Sequence, residues 1–119
     1  MAQILISESH EEVRRLLERM ITRLGHEAIL VRVPAAEQLQ SADVLIVEPA
    51  APLGAELARA AHTANPALPI ICASVTAAPA KLTELGVVFT ADLVKPFTLE
   101  QLDAAIDQSL LARQAHQSA

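Results

Sequence analysis

The chain of 119 residues has almost no aromatic surface: Phe89 and Phe97 are its two phenylalanines, and it has neither tryptophan nor tyrosine. Stacking of bases on an aromatic platform is therefore not a binding mode open to it. The net charge of −5 lacks the basic excess that nucleic-acid binding calls for. Arg14, Arg15, Arg19 and Arg23 cluster, but acids flank them, and they read as a solvated helix face. The single cysteine, Cys72, cannot close an internal disulfide; its place in the apolar run 69–73 makes it a core thiol. Glycine is scarce as well, with three in all. No glycine-rich loop follows the first apolar run, and the acidic segment 7–10 is unsuited to cradling a phosphate. No Gly-x-Ser-x-Gly elbow announces a serine hydrolase. The histidines, His10, His26, His62 and His116, lack ligand spacing, so no transition-metal site is expected. No apolar run approaches the roughly 18 residues of a membrane span. Gln3 and Glu8 interrupt any leader at the start, which makes a cytoplasmic protein the expectation.

What the chain does have is a regular alternation of short apolar runs and helical periods. Gln3 to Ile6, Ala28 to Val31, Val44 to Val47, Ile70 to Ala73 and Phe89 to Val94 read as strands. The third is apolar throughout, as a parallel strand covered on both faces should be. Val13, Leu16, Leu17, Met20, Ile21 and Leu24 recur at helical spacing behind Ser9-His10-Glu11-Glu12, which has the pattern of a capping box. Gly25 stands where a helix C-terminal glycine belongs. A two-turn helix follows Pro34, over 35–40, and a longer one spans 55–64 before Asn65-Pro66 stops it. A weak helix is expected over 79–85. The last begins at a second capping box, Thr98 to Gln101, and carries the stripe Leu99, Leu102, Ile106, Leu110. Its polar tail after Arg113 is expected to fray. Strands and helices thus alternate five times. That order demands a three-layer, doubly wound α/β fold: a five-stranded parallel sheet with right-handed crossovers and helices on both faces. By length it is a single domain, 1–119.

In such a sheet the C-terminal strand ends share one edge, where open α/β folds keep their sites. Glu8 follows the first strand, Glu48 the third, Lys95 the fifth. Two acids and a lysine are therefore expected to converge. The plainer reading, of solvated side chains at strand ends, stays open at this point.

Taken together these stretches resemble the receiver domain of two-component response regulators, over nearly the whole chain. The opening Glu12-Val13-Arg14-Arg15-Leu16-Leu17 with Leu24-Gly25-His26-Glu27 carries the likeness. So do Asp43 to Glu48, Leu68-Pro69-Ile70-Ile71 and, most specifically, Leu93-Val94-Lys95-Pro96-Phe97-Thr98. The resemblance implies the CheY-like (βα)5 member of the flavodoxin-like folds, with a cis Lys95–Pro96 bond. It also assigns positions. Glu48 falls on the phosphoacceptor position, where the family has Asp. Glu8 and Ser9 fall on the acidic pair that holds Mg2+. Ser74 falls on the switch hydroxyl, although it reads equally well as a turn serine. Lys95 is the pocket lysine, and Asp92 occupies the switch-aromatic position. The loop after Glu48 keeps Pro52 and Gly54 but is about two residues shorter than the family's.

Each departure has a physical consequence. With Ser9 in place of a carboxylate, Glu8 and Glu48 offer Mg2+, which favours charged oxygen ligands in near-octahedral array, only a weak site. The extra methylene of Glu48 pushes its carboxylate about 1.5 Å further into the pocket, and misplacement of about 1 Å can cost on the order of 100-fold in rate. Asp92 cannot swing inward as an aromatic would. The reading that follows is a non-catalytic pseudoreceiver, without a cofactor, that binds a signalling partner without being phosphorylated. Its partner surface is expected around the fourth helix, fifth strand and last helix. The resemblance points to a histidine kinase, a phosphotransfer protein or an effector as that partner, and admits a homodimer, with no nucleic acid or membrane involved. The alternatives are a working receiver phosphorylated by a histidine kinase at the atypical Glu48, and a flavodoxin-like binder of a small ligand.

Overall fold

A computed structural model gives the fold and describes residues 1–48, 54–74 and 89–118. Val44–Val47, the wholly apolar run, forms strand β3 at the centre of the sheet, every side chain buried. Gln3–Ser7 (β1) and Ile70–Ser74 (β4) flank it, and Glu27–Leu30 (β2) and Ala91–Val94 (β5) are the edges. All pairings are parallel, in the order β2-β1-β3-β4-β5. The expected doubly wound sheet is thus the observed one.

The strand period of two sorts the apolar side chains onto two faces. Ile4, Ile6, Val44, Ile46, Ile71 and Leu93 meet Leu17 and Ile21 of helix α1 (Glu11–Arg23) and Leu102 and Ile106 of helix α4 (Leu99–Ser118). Leu5, Leu45, Val47 and Ile70 face the other way. They pack on Leu39 of α2 (Ala36–Ser41) and on Leu57, Ala58 and Ala61 of α3 (Gly54–Ala64). Each fully buried Leu or Ile contributes roughly 1.5–3 kcal/mol relative to exposure, so this two-sided core fixes the sheet and hence the strand ends. The lone Cys72 is buried in β4, as expected.

Local signals fare unequally. Gly25 adopts φ +87° and closes α1 with a Schellman pair, His26 N–H to Ile21 O at 3.1 Å and Gly25 N–H to Thr22 O at 3.0 Å. The Thr98 box forms in both directions: Gln101 N–H donates to Thr98 Oγ1 and Thr98 N–H to Gln101 Oε1. The Ser9 box does not form. Helix α1 starts at Glu11, with His10 at its N-cap and no side-chain cap. The buried Glu8 carboxylate instead accepts the His10 N–H through Oε2, at 3.5 Å. β2 begins one residue earlier than its apolar run, because Glu27 N–H donates to Ala2 O. β5 begins at Ala91, and Phe89 lies ahead of it against the α2/α3 core.

The last helix does not stop near Arg113 but runs to Ser118. The Arg113 guanidinium donates to Ala42 O at 2.5 Å and to Asp43 Oδ1 at 2.7 Å, tying the helix to the start of β3. Asp43 Oδ2 accepts Gln3 N–H at 2.7 Å, so the same clamp reaches β1. The helix expected over 79–85 and the loop 49–53 lie outside the described residues. Among those described, no helix is long and apolar enough to cross a membrane.

Candidate functional site

The strand order reverses direction between β1 and β3, the topological switch point of the sheet. Ser7 and Val47 are register partners at that point, so the residues that follow them, Glu8 and Glu48, leave the sheet side by side. The Glu48 N–H donates to Ser7 O at 3.3 Å. From the other side, the Lys95 N–H donates to Ser74 O at 2.8 Å, which sets Lys95 at the end of β4. The Lys95–Pro96 peptide bond is cis.

The three side chains meet. Lys95 Nζ hydrogen-bonds to Glu8 Oε1 and lies 3.2 Å from Glu48 Oε2. Their side chains are 12%, 2% and 15% exposed for Lys95, Glu8 and Glu48, so this is a mostly dry cluster. The two carboxyls also lie close enough to influence each other's ionisation. Burial raises the Glu8 pKa above the ordinary carboxylate value, and the nearby Glu48 carboxyl raises it further against the pull of Lys95. The Glu48 pKa is lowered, first by the nearby Glu8 carboxyl and then, against its own burial, by Lys95, with a smaller push from the charge of His10. The two carboxyls are thus shifted in opposite directions, and Lys95 is the cation that serves both.

The other candidate positions are less involved. Ser74 ends β4, buried, with its carbonyl on Lys95. Ser9 is exposed and makes no hydrogen bond among the described residues. Asp92 is exposed on the edge strand β5, in register with Cys72, and likewise has no hydrogen bond or ion pair among the described residues. Sequence reasoning brought Glu8, Glu48 and Lys95 to one edge but missed the mutual influence of the two carboxyls and that of His10. The available signal was the longer reach of Glu48 toward a second acid on the neighbouring strand.

The donor set does not suit Mg2+. Hard divalent cations take several ionised oxygens, whereas here the Lys95 ammonium already contacts both carboxylates. No cluster of three or more His, Cys, Asp or Glu exists among the described residues.

No family model matches the chain, and no curated protein matches it. Solved structures do. The chemotaxis protein CheY4 of Vibrio cholerae superposes with a TM-score of 0.77 at 23% identity, over 92% of this chain and 99% of that one. A response-regulator receiver domain from Clostridium thermocellum gives 0.81 at 17%, over 97% and 98%. NtrX of Brucella abortus gives 0.86 at 17%, over 98% of this chain, which spans 28% of NtrX. At these identities the likeness is one of fold, and the fold is that of the CheY-like receiver domains.

Proposed function

We propose that this receiver-fold chain is a signalling module in a two-component-type pathway, one that binds a protein partner without being phosphorylated. The observation that carries the reading is the paired lysine. The lysine that the receiver resemblance sets beside an incoming phosphoryl group is already held by Glu8 and Glu48 in a nearly buried cluster. An incoming phosphoryl donor would have to displace that ion pair and reach a nucleophile already committed to it. The module acts by presenting a surface.

The test is gain of function. Ser9→Asp with Glu48→Asp restores a second acid and shortens the acceptor by one methylene. Incubated with acetyl phosphate and Mg2+, the double variant should acquire a phosphoryl group at position 48 at least about 100-fold faster than the unmodified protein. The phosphorus–acetate bond breaks, acetate leaves, and a carboxylate oxygen takes the phosphoryl group; intact-mass measurement reads it. Labelling of the unmodified protein at Glu48 at a rate like the variant's would sink the reading.

A further inference from the structure

One histidine joins three elements at the end of the sheet opposite the Glu8, Glu48 and Lys95 cluster. The His26 N–H donates to Ile21 O and closes α1. Its ring Nδ1 accepts the Ala2 N–H at 3.1 Å. The next residue holds the same alanine from its other side: Glu27 N–H donates to Ala2 O at 2.9 Å, where the β1–β2 pairing begins. Ala2 is buried, 7% exposed, and its N–H has no other acceptor among the described residues. A main-chain N–H can only donate, so Nδ1 is the unprotonated nitrogen of the ring. An imidazolium has two donors and no acceptor. The bond to Ala2 therefore exists only while the ring is neutral.

We infer that His26 is a pH-sensitive latch on the start of the sheet: its neutral ring fastens Ala2 to the turn between α1 and β2, and protonation releases it. Histidine is the side chain that ordinarily changes charge between pH 5 and 8. The ring is half-buried and lines a surface cleft of about 710 Å3, so protons reach it from solvent. The charged groups around that cleft are Glu18, Arg19 and Arg23 of α1, Glu27 of β2 and the amino group of Met1. Among the described residues the carboxylates of Glu18 and Glu27 bond to neither Ala2 nor the ring. On the β3 side of β1, Asp43 is already engaged by Gln3 N–H and Arg113. No neighbour thus stands ready to take the Ala2 N–H when the ring gives it up, and a buried donor without an acceptor is unfavourable. The contribution of the latch is present while the ring is neutral and is lost as pH falls. What acid loosens is the first pairing of β1 with β2, at the far end of the strand from Glu8.

The test is an NMR titration of the full chain across the range from about pH 8 to about pH 5. The first readout needs no variant: the Ala2 amide resonance should move with the same midpoint as the ring resonances of His26. Protection of that amide against hydrogen exchange, corrected for the intrinsic pH dependence of exchange, should fall about tenfold over the range, the equivalent of one hydrogen bond. His26→Asn offers a carbonyl oxygen near the place of Nδ1 and cannot titrate, so its Ala2 amide should stay protected and still at every pH. His26→Phe keeps the ring's bulk without an acceptor, and should show at the alkaline end the weak protection that the unmodified protein shows at the acid end. An Ala2 amide that ignores the titration of the ring would overturn the latch. So would a ring that keeps one charge state throughout, or an Asn variant that loses protection with acid as the unmodified protein does. The latch does not rest on the partner-binding function proposed above, and its failure would leave that reading intact.

Discussion

Lys95→Met should cost the fold about 2–4 kcal/mol near neutral pH, the largest single-residue effect expected outside the apolar core. Truncating one partner of a buried ion pair costs about 3–5 kcal/mol because the remaining charge is left uncompensated. The slight exposure of Lys95 and Glu48, 12% and 15%, lowers that figure somewhat. Methionine matches the stem of lysine in volume, so packing is largely kept and the loss reports the charge. It should also depend on pH in a defined direction. Losing Lys95 removes a downward pull on both carboxyls while the desolvation that raises them stays, so the variant's folded state binds protons more tightly than that of the unmodified protein. The deficit against the unmodified protein then deepens as pH rises through the folded values, and shrinks as pH drops and the carboxyls take up protons. Urea denaturation followed by circular dichroism, from neutral pH down toward the ordinary carboxylate range, measures this. An unchanged midpoint, or a deficit that deepens with acid, would show that Lys95 does not balance the pair.

Glu8→Gln should remove the alkaline limb of the protein's stability profile. Glu8 has a raised pKa, caused first by burial and then by the nearby Glu48 carboxyl, so its contribution is full below the unfolded value near 4.5 and is lost as pH rises through its folded value. Glu48 has a lowered pKa, caused first by the nearby Glu8 carboxyl, so its contribution is present above that value and is lost as pH falls through its folded value. The pair is therefore most favourable between the two, where it holds one proton. Glutamine is a permanent stand-in for the protonated Glu8: its amide can donate to Glu48 and its oxygen can accept from Lys95. The difference in stability, variant minus unmodified protein, should thus grow from near zero around pH 4.5 toward higher pH. Its slope is bounded by that of one proton, about 1.4 kcal/mol per pH unit. Parallel curves for the two proteins would mean that the Glu8 pKa is not raised in the folded state.

Much of the fold could be read from local patterns, because those patterns coincide with what the tertiary structure rewards. Val44–Val47 is apolar on both faces because helices cover both, and Gly25 takes the positive φ that closes α1. The Thr98 box forms because both of its bonds are local, within four residues of chain. The Ser9 box does not form because the helix starts at Glu11, which puts His10 rather than Ser9 at the N-cap, with the His10 N–H on Glu8. Helix α4 outlasts its apolar stripe because the Arg113 clamp anchors it at a polar position, a contact with Ala42 and Asp43 about seventy residues away that no window along the chain can show.

The site divides along the same line. Strand ends and sheet order suffice to bring Glu8, Glu48 and Lys95 to one edge. Whether two carboxyls touch there depends on the reach of one methylene group in Glu48 and on the dryness of the cluster. Both are properties of the packed molecule rather than of any motif. Asp92, placed by resemblance at the switch-aromatic position, is exposed on the edge strand β5.

The most direct test of the central claim is the amide NMR spectrum of the unmodified protein titrated with Mg2+ and then with beryllofluoride. A cluster in which Lys95 already holds both carboxylates predicts that the resonances of Glu8, Glu48, Ser74 and Lys95 stay still through low millimolar Mg2+ and do not move when the phosphoryl mimic is added. Saturable shifts at those residues in that range would contradict it, and would mean that the pocket still accepts a cation and a phosphoryl group.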